Sequence, residues 1–90
     1  MKTISITISG KVQGVFYRQS TREKATTLGI TGEVSNLPDG NVLIIATGME
    51  EQLKELVEWC RSGPPKARVS GIEMNDLPAR SFERFSIIRH

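Results

Sequence analysis

The stretch ITGEVSNLPDGNVLIIATG, Ile30 to Gly48, carries two strand-like runs joined by Leu37-Pro38-Asp39-Gly40. Proline pre-sets the first turn torsion, aspartate tolerates the second, and Gly40 takes the left-handed position, so the two runs read as a tight hairpin. A helical pattern flanks it on each side. Upstream, RQSTREKATTLG (Arg18–Gly29) is rich in helix formers, with Tyr17, Ala25 and Leu28 near one face and Gly29 as a stop. Downstream, MEEQLKELVEWCRSGPP (Met49–Pro65) repeats Met49, Leu53, Leu56, Val57 and Cys60 at helical spacing. Glu50 and Glu51 suit its first turn, Arg61 its last, and Gly63-Pro64-Pro65 ends it.

Three more strands complete the order. At the start, Ile4, Ile6 and Ile8 alternate with Thr3, Ser5, Thr7 and Ser9, the pattern of a half-buried strand. RVSGIEMNDL (68–77) gives a further strand with Ile72 and Met74, and RFSIIR (84–89) a short last one with Phe85 and Ile87. The order β-α-β-β-α-β plus a short C-terminal strand predicts an α+β domain over residues 1–90. Its architecture is a ferredoxin-like split βαβ sandwich, an antiparallel sheet with two helices on one face.

Composition bounds the function. The 90 residues are 38% hydrophobic and 24% charged, an ordinary globular balance, and a net charge of +2 does not by itself call for nucleic acid. One cysteine, Cys60, excludes an internal disulfide, and with His90 as the single histidine no zinc-ligand set exists. No apolar run nears the ~20 residues that span a bilayer, and MKTISITISG alternates where a signal peptide would be continuously apolar. A monomeric cytoplasmic protein, with no membrane, metal or cofactor, is the expectation.

The topology gives meaning to GKVQGVFYR, Gly10 to Arg18. A crossover through the first helix makes the first two strands parallel, with the third between them. Their carboxyl ends share one sheet edge, so Arg18 and Asn36 face each other across a shallow cleft. Arg18 begins a helix, where unpaired N–H groups and a positive dipole point outward. Gly14 permits a positive φ, so Gln13, Gly14, Val15, Phe16 and Tyr17 can turn backbone N–H groups inward as an anion nest, with the Arg18 fork above it. The same residues fit a helix-capping turn with a solvated arginine, and Asn36 fits the start of a hairpin turn; spacing alone leaves both open.

The two motifs together resemble the acylphosphatase family, with its Gly-x-Val-Gln-Gly-Val-x-aromatic-Arg loop and Gly-x-Val-x-Asn-x-x-Asp-Gly hairpin. The similarity continues through Gly48, the GPPKARV connection and the C-terminal FSII. The resemblance implies metal-independent, cofactor-free hydrolysis of the carboxyl–phosphate bond of small acyl phosphates, with inorganic phosphate and other anions as competitors. It places the catalytic arginine on Arg18 and the catalytic asparagine on Asn36, with the loop N–H groups binding phosphate. In place of an aromatic and a basic residue common in the family's second motif, this chain has Glu33 and Ser35. The exchange bears on affinity and acyl-group preference.

Blander roles account for other residues. Tyr17 reads as a core aromatic with its hydroxyl near the surface, Asp39 as a turn residue, and Cys60 as core. Arg22, Lys24, Lys66 and Arg68 read as solvated charges, any of which can draw in an anion. Leu43 and Ile45 lie opposite Val42, Ile44 and Ala46, which leaves a small apolar spot on the open sheet face. An RNA-binding module shares this plan but needs stacking aromatics on that face, where Thr3, Ser5, Thr7 and VLIIA supply none. A non-catalytic anion sensor is the other alternative.

Overall fold

The alternation at the start of the chain forms a ten-residue strand, β1 (Lys2–Lys11), whose Ile4, Ile6 and Ile8 are all buried. The computed structural model describes residues 1–89 and continues with α1 (Tyr17–Leu28), β2 (Thr31–Asn36), β3 (Val42–Gly48), α2 (Glu50–Cys60), β4 (Arg68–Leu77) and β5 (Phe85–Ile88). The strands lie in the order β4-β1-β3-β2-β5. β3 pairs antiparallel with both β1 and β2, so those two run parallel, and β4 adds antiparallel to β1. The short β5 joins β2 in parallel, so the antiparallel four-strand sheet gains a parallel edge.

One face of this sheet holds the core. Val34, Val42, Ile44 and Ala46 join the three isoleucines there, and Ala25, Leu53, Leu56, Val57 and Cys60 pack onto them from the helices. The hairpin forms as its residues dictate: Leu37 N–H donates to Asn41 O at 2.8 Å, and Gly40 N–H to Leu37 O at 3.1 Å. Asp39 Oδ1 accepts from Asn41 N–H at 2.9 Å, a local bond that closes the turn.

Three side chains depart from the expected pattern. Met49 is exposed and precedes α2 as its N-cap; Gln52 Oε1 reaches back to accept its N–H at 2.9 Å. Periodicity alone puts Met49 on the apolar stripe, but the helix starts one residue after it. The Tyr17 hydroxyl lies inside, donating to Cys60 O at 2.7 Å, rather than near the surface. Thr3, expected on the open face, is buried beneath Arg80 together with Thr47. Thr47 Oγ1 donates to Arg80 O at 2.7 Å, and Arg80 N–H donates to Thr3 Oγ1 at 3.0 Å. That leaves the Thr3 proton for Thr47 Oγ1, 2.7 Å away, so every polar group in the set is satisfied. Leu43 and Ile45 remain half-buried on the same face, as their alternation predicts.

Candidate active site

The loop between β1 and α1 owes its shape to left-handed backbone. Gly14 has φ 74° and Phe16 has φ 66°, with the buried Val15 anchoring the loop between them. A Cβ on Gly14 would meet nothing within 4 Å, so glycine is needed there for its torsion and not for room. Phe16 has no such excuse: a bulky residue in this region is strained, yet the residue is 69% exposed. Strain of this kind is retained where loop geometry matters. The N–H groups of Gly14, Val15 and Phe16 take part in none of the loop and cap hydrogen bonds among the described residues, which leaves these donors free for an anion.

The start of α1 is fixed from behind. The Tyr17 ring tilts against Trp59 with centroids 5.5 Å apart, and its hydroxyl bond reaches the end of α2. Thr21 Oγ1 donates to Tyr17 O at 2.8 Å on the same buried side. With Tyr17 committed to the core, Arg18 falls on the side that lines a cleft of about 360 Å³, together with Gly14, Phe16, Arg22, Asn36 and Arg89. A smaller adjoining depression shares Arg18, Asn36 and Arg89. The pairing of Arg18 with Asn36 expected from topology is therefore present.

Asn36 closes β2 on the helix-facing side, two residues after the buried Val34. Its Oδ1 is buried and has no hydrogen-bond partner among the described residues. An unmet buried acceptor costs on the order of 1–3 kcal/mol, a cost a ligand or water in the cleft would remove. The Asn36 turn is tied to the loop by Gln13, whose Nε2 donates to Leu37 O and Asn41 O, each at 2.9 Å. This clamp joins residues 24 and 28 positions apart, and sequence reasoning assigned Gln13 only a backbone role.

Over the described residues, charge in the cleft has one sign: the lining includes three arginines, Arg18, Arg22 and Arg89, and no Asp or Glu. Among the described residues none of the three joins an ion pair, whereas Lys2, Arg61, Arg80 and Arg84 do. Arg89 was missed because its place depends on β5 lying parallel to β2. The ladder ends with Ser35 opposite Ile88, and Arg89, the next residue, lines the cleft with Asn36. The Phe85-Ile87-Arg89 alternation was a usable signal, but the partner strand was not visible. Of the basic residues expected to be solvated, Arg22 lines the cleft while Lys24, Lys66 and Arg68 do not.

Glu33 and Ser35 point away from this cleft. They alternate with Val34 and Asn36 onto the opposite sheet face, where Glu33 lies 3.8 Å from Arg80. Their expected influence on affinity therefore lacks direct contact with the cleft. The nearby nucleophile types are held protonated: burial pushes the Cys60 thiol up to about 12 and raises the Tyr17 phenol well above its ordinary value. Among the described residues no three His, Cys, Asp or Glu side chains converge as a metal site, and no helix is long and apolar enough to cross a membrane. Such a cleft can grip an anion by fork and backbone, and offers one carbonyl acceptor to orient water.

Comparison with known proteins agrees with the motifs. The acylphosphatase family model matches residues 4–87. An acylphosphatase of Methylococcus capsulatus is 44% identical over 90 residues, spanning 99% of this chain and 98% of its own. The solved acylphosphatase of Coxiella burnetii superposes with a TM-score of 0.94 at 40% identity, covering 97% of this chain and 92% of that one. The Bacillus subtilis acylphosphatase structure gives 0.90 at 36% identity, covering 99% and 100%. A likeness of sequence and fold that runs the length of the chain has one meaning: the protein belongs to the acylphosphatase family.

Proposed function

We propose that the cleft hydrolyses the carboxyl–phosphate bond of small acyl phosphates, with Arg18 binding the phosphoryl group and Asn36 orienting the attacking water. The observation that carries this is the buried Asn36 Oδ1, without a partner among the described residues, in a cleft shared with Arg18. Phosphoryl transfer spreads negative charge over the equatorial oxygens, so positioning and electrostatics do most of the work. The Arg18 fork and the N–H groups of the Gly14–Tyr17 turn supply that positive charge.

Asn36 Oδ1 accepts a hydrogen bond from water and aims its oxygen at phosphorus. A new P–O bond forms as the bond from phosphorus to the acyl oxygen breaks. The electron pair leaves on the carboxylate, and the protons of the water depart with the phosphate. Carboxylate is a stable anion, so no general acid is required, in keeping with a cleft that no Asp, Glu or His lines among the described residues. Neither Cys60 nor Tyr17 serves as nucleophile, because each is held neutral in the core. Inorganic phosphate fits the same clamp and competes. The proposal includes a monomer acting in the cytoplasm, where the free Cys60 thiol suits reducing conditions.

Hydrolysis of benzoyl phosphate in the presence of a chelator tests this. Rapid turnover that phosphate inhibits competitively, and that Arg18→Ala abolishes together with phosphate binding, is expected. A wild-type protein that binds phosphate without turnover would instead be an anion sensor.

A further inference from the structure

Beyond the phosphoryl clamp, the cleft holds positive charge that hydrolysis of an acyl phosphate with an uncharged acyl group does not use. Arg22 lies four residues after Arg18 on α1, so the two share a face about 6 Å apart along the axis. Arg89, the residue that follows β5, lines the same cleft and shares an adjoining depression with Arg18 and Asn36. Both are exposed, Arg22 on α1 and Arg89 just after β5, both line the cleft, and among the described residues no lining carboxylate neutralises them. A solvated arginine alone would mean little. Two of them converging from separate elements on one cleft, without ion pairs among the described residues, form a region that favours a second anion.

We infer that Arg22 and Arg89 form a specificity subsite for a negatively charged group on the acyl moiety, a carboxylate or a phosphate. The preferred substrates are thus acyl phosphates that carry a second anionic group, with the phosphoryl end on Arg18 and the other end toward Arg22 and Arg89. A four-carbon chain is of suitable length for the offset between Arg18 and Arg22. The inference rests on the proposed hydrolase activity and assigns part of its substrate choice.

Succinyl phosphate and butyryl phosphate separate the two claims. They have acyl chains of equal carbon number and differ in a terminal carboxylate. The kcat/KM ratio of succinyl to butyryl phosphate is expected to exceed one in the wild type. It should fall about threefold to tenfold in Arg22→Gln and in Arg89→Gln, and further in the double variant. Added salt should shrink the wild-type ratio. A wild-type ratio of one or below would overturn the subsite, as would a ratio that neither substitution changes or equal losses for both substrates. Hydrolysis of neither compound would overturn the proposed activity itself, and the subsite with it.

Discussion

Replacing Gln13 with methionine removes two hydrogen bonds while keeping length and volume. Both bonds, to Leu37 O and Asn41 O, are 2.9 Å long and half-buried. A net contribution of about 0.5–1.5 kcal/mol each sets the upper range. Each carbonyl keeps one partner, Gly40 N–H for Leu37 O and Leu37 N–H for Asn41 O, so neither is left bare. The expected loss is therefore about 1–2 kcal/mol in total, or about 5–15 °C in Tm for a chain of this size. Because Leu37 follows Asn36 directly, activity should fall further than stability suggests, by about tenfold or more in kcat/KM.

Gln13→Glu should be worse near neutral pH, because a carboxylate would face two carbonyl oxygens. That environment raises its folded-state pKa above the ordinary ~4.3. Stability is then retained below the unfolded pKa and lost as pH rises through the folded one. Urea unfolding, differential scanning calorimetry and benzoyl phosphate kinetics read these effects. A Gln13→Met protein that melts within ~2 °C of wild type and keeps full turnover would show that the clamp neither holds the loop nor positions Asn36.

Three further outcomes can be checked. Gly63→Ala should destabilise by about 2–4 kcal/mol, since its φ is 65° and the new methyl would clash with the Tyr17 ring at Cε2; denaturant unfolding measures it. Thr47→Val should lose about 0.5–1.5 kcal/mol, because it removes the 2.7 Å donor to Arg80 O and leaves that carbonyl only the longer bond from Thr3 Oγ1 at 3.4 Å, with little effect on kcat because Thr47 is absent from the cleft lining. Above pH 9 the unfolded state ionises Cys60 while the folded thiol resists up to about 12, so stability falls by about 1.4 kcal/mol per pH unit. Above pH 10, where unfolded Tyr17 also ionises, the decline steepens. Cys60→Ala should remove the onset between pH 9 and 10 while lowering stability at pH 7.

The elements were legible where the local pattern and the final environment agreed. Ile4, Ile6 and Ile8 alternate because one face meets helices, Pro38-Asp39-Gly40 determines its own turn, and Gly29 stops α1 in a left-handed cap. Parallel orientation of β1 and β2 followed from handedness and element order, and this brought Arg18 to Asn36. What escaped depends on contacts between distant backbone and side-chain groups. The Gln13 amide finds carbonyls across the hairpin, and Tyr17 finds the end of α2. Arg80 covers two threonines whose spacing on their strands suggests an open face. Arg89 reaches the cleft through the parallel β2–β5 pairing, which a four-residue strand does not announce. Glu33 and Ser35 adjoin Asn36 in sequence but alternate onto the other side of the sheet, so nearness along the chain did not place them in the cleft.

Asn36→Ala provides the most direct measurement, with benzoyl phosphate kcat and inorganic phosphate Kd determined on the same protein. If Asn36 orients water while Arg18 and the loop hold phosphate, kcat should fall on the order of a hundredfold or more while the phosphate Kd stays near the wild-type value. Retained turnover, or a loss of phosphate binding that matches the loss of turnover, would contradict that division of labour.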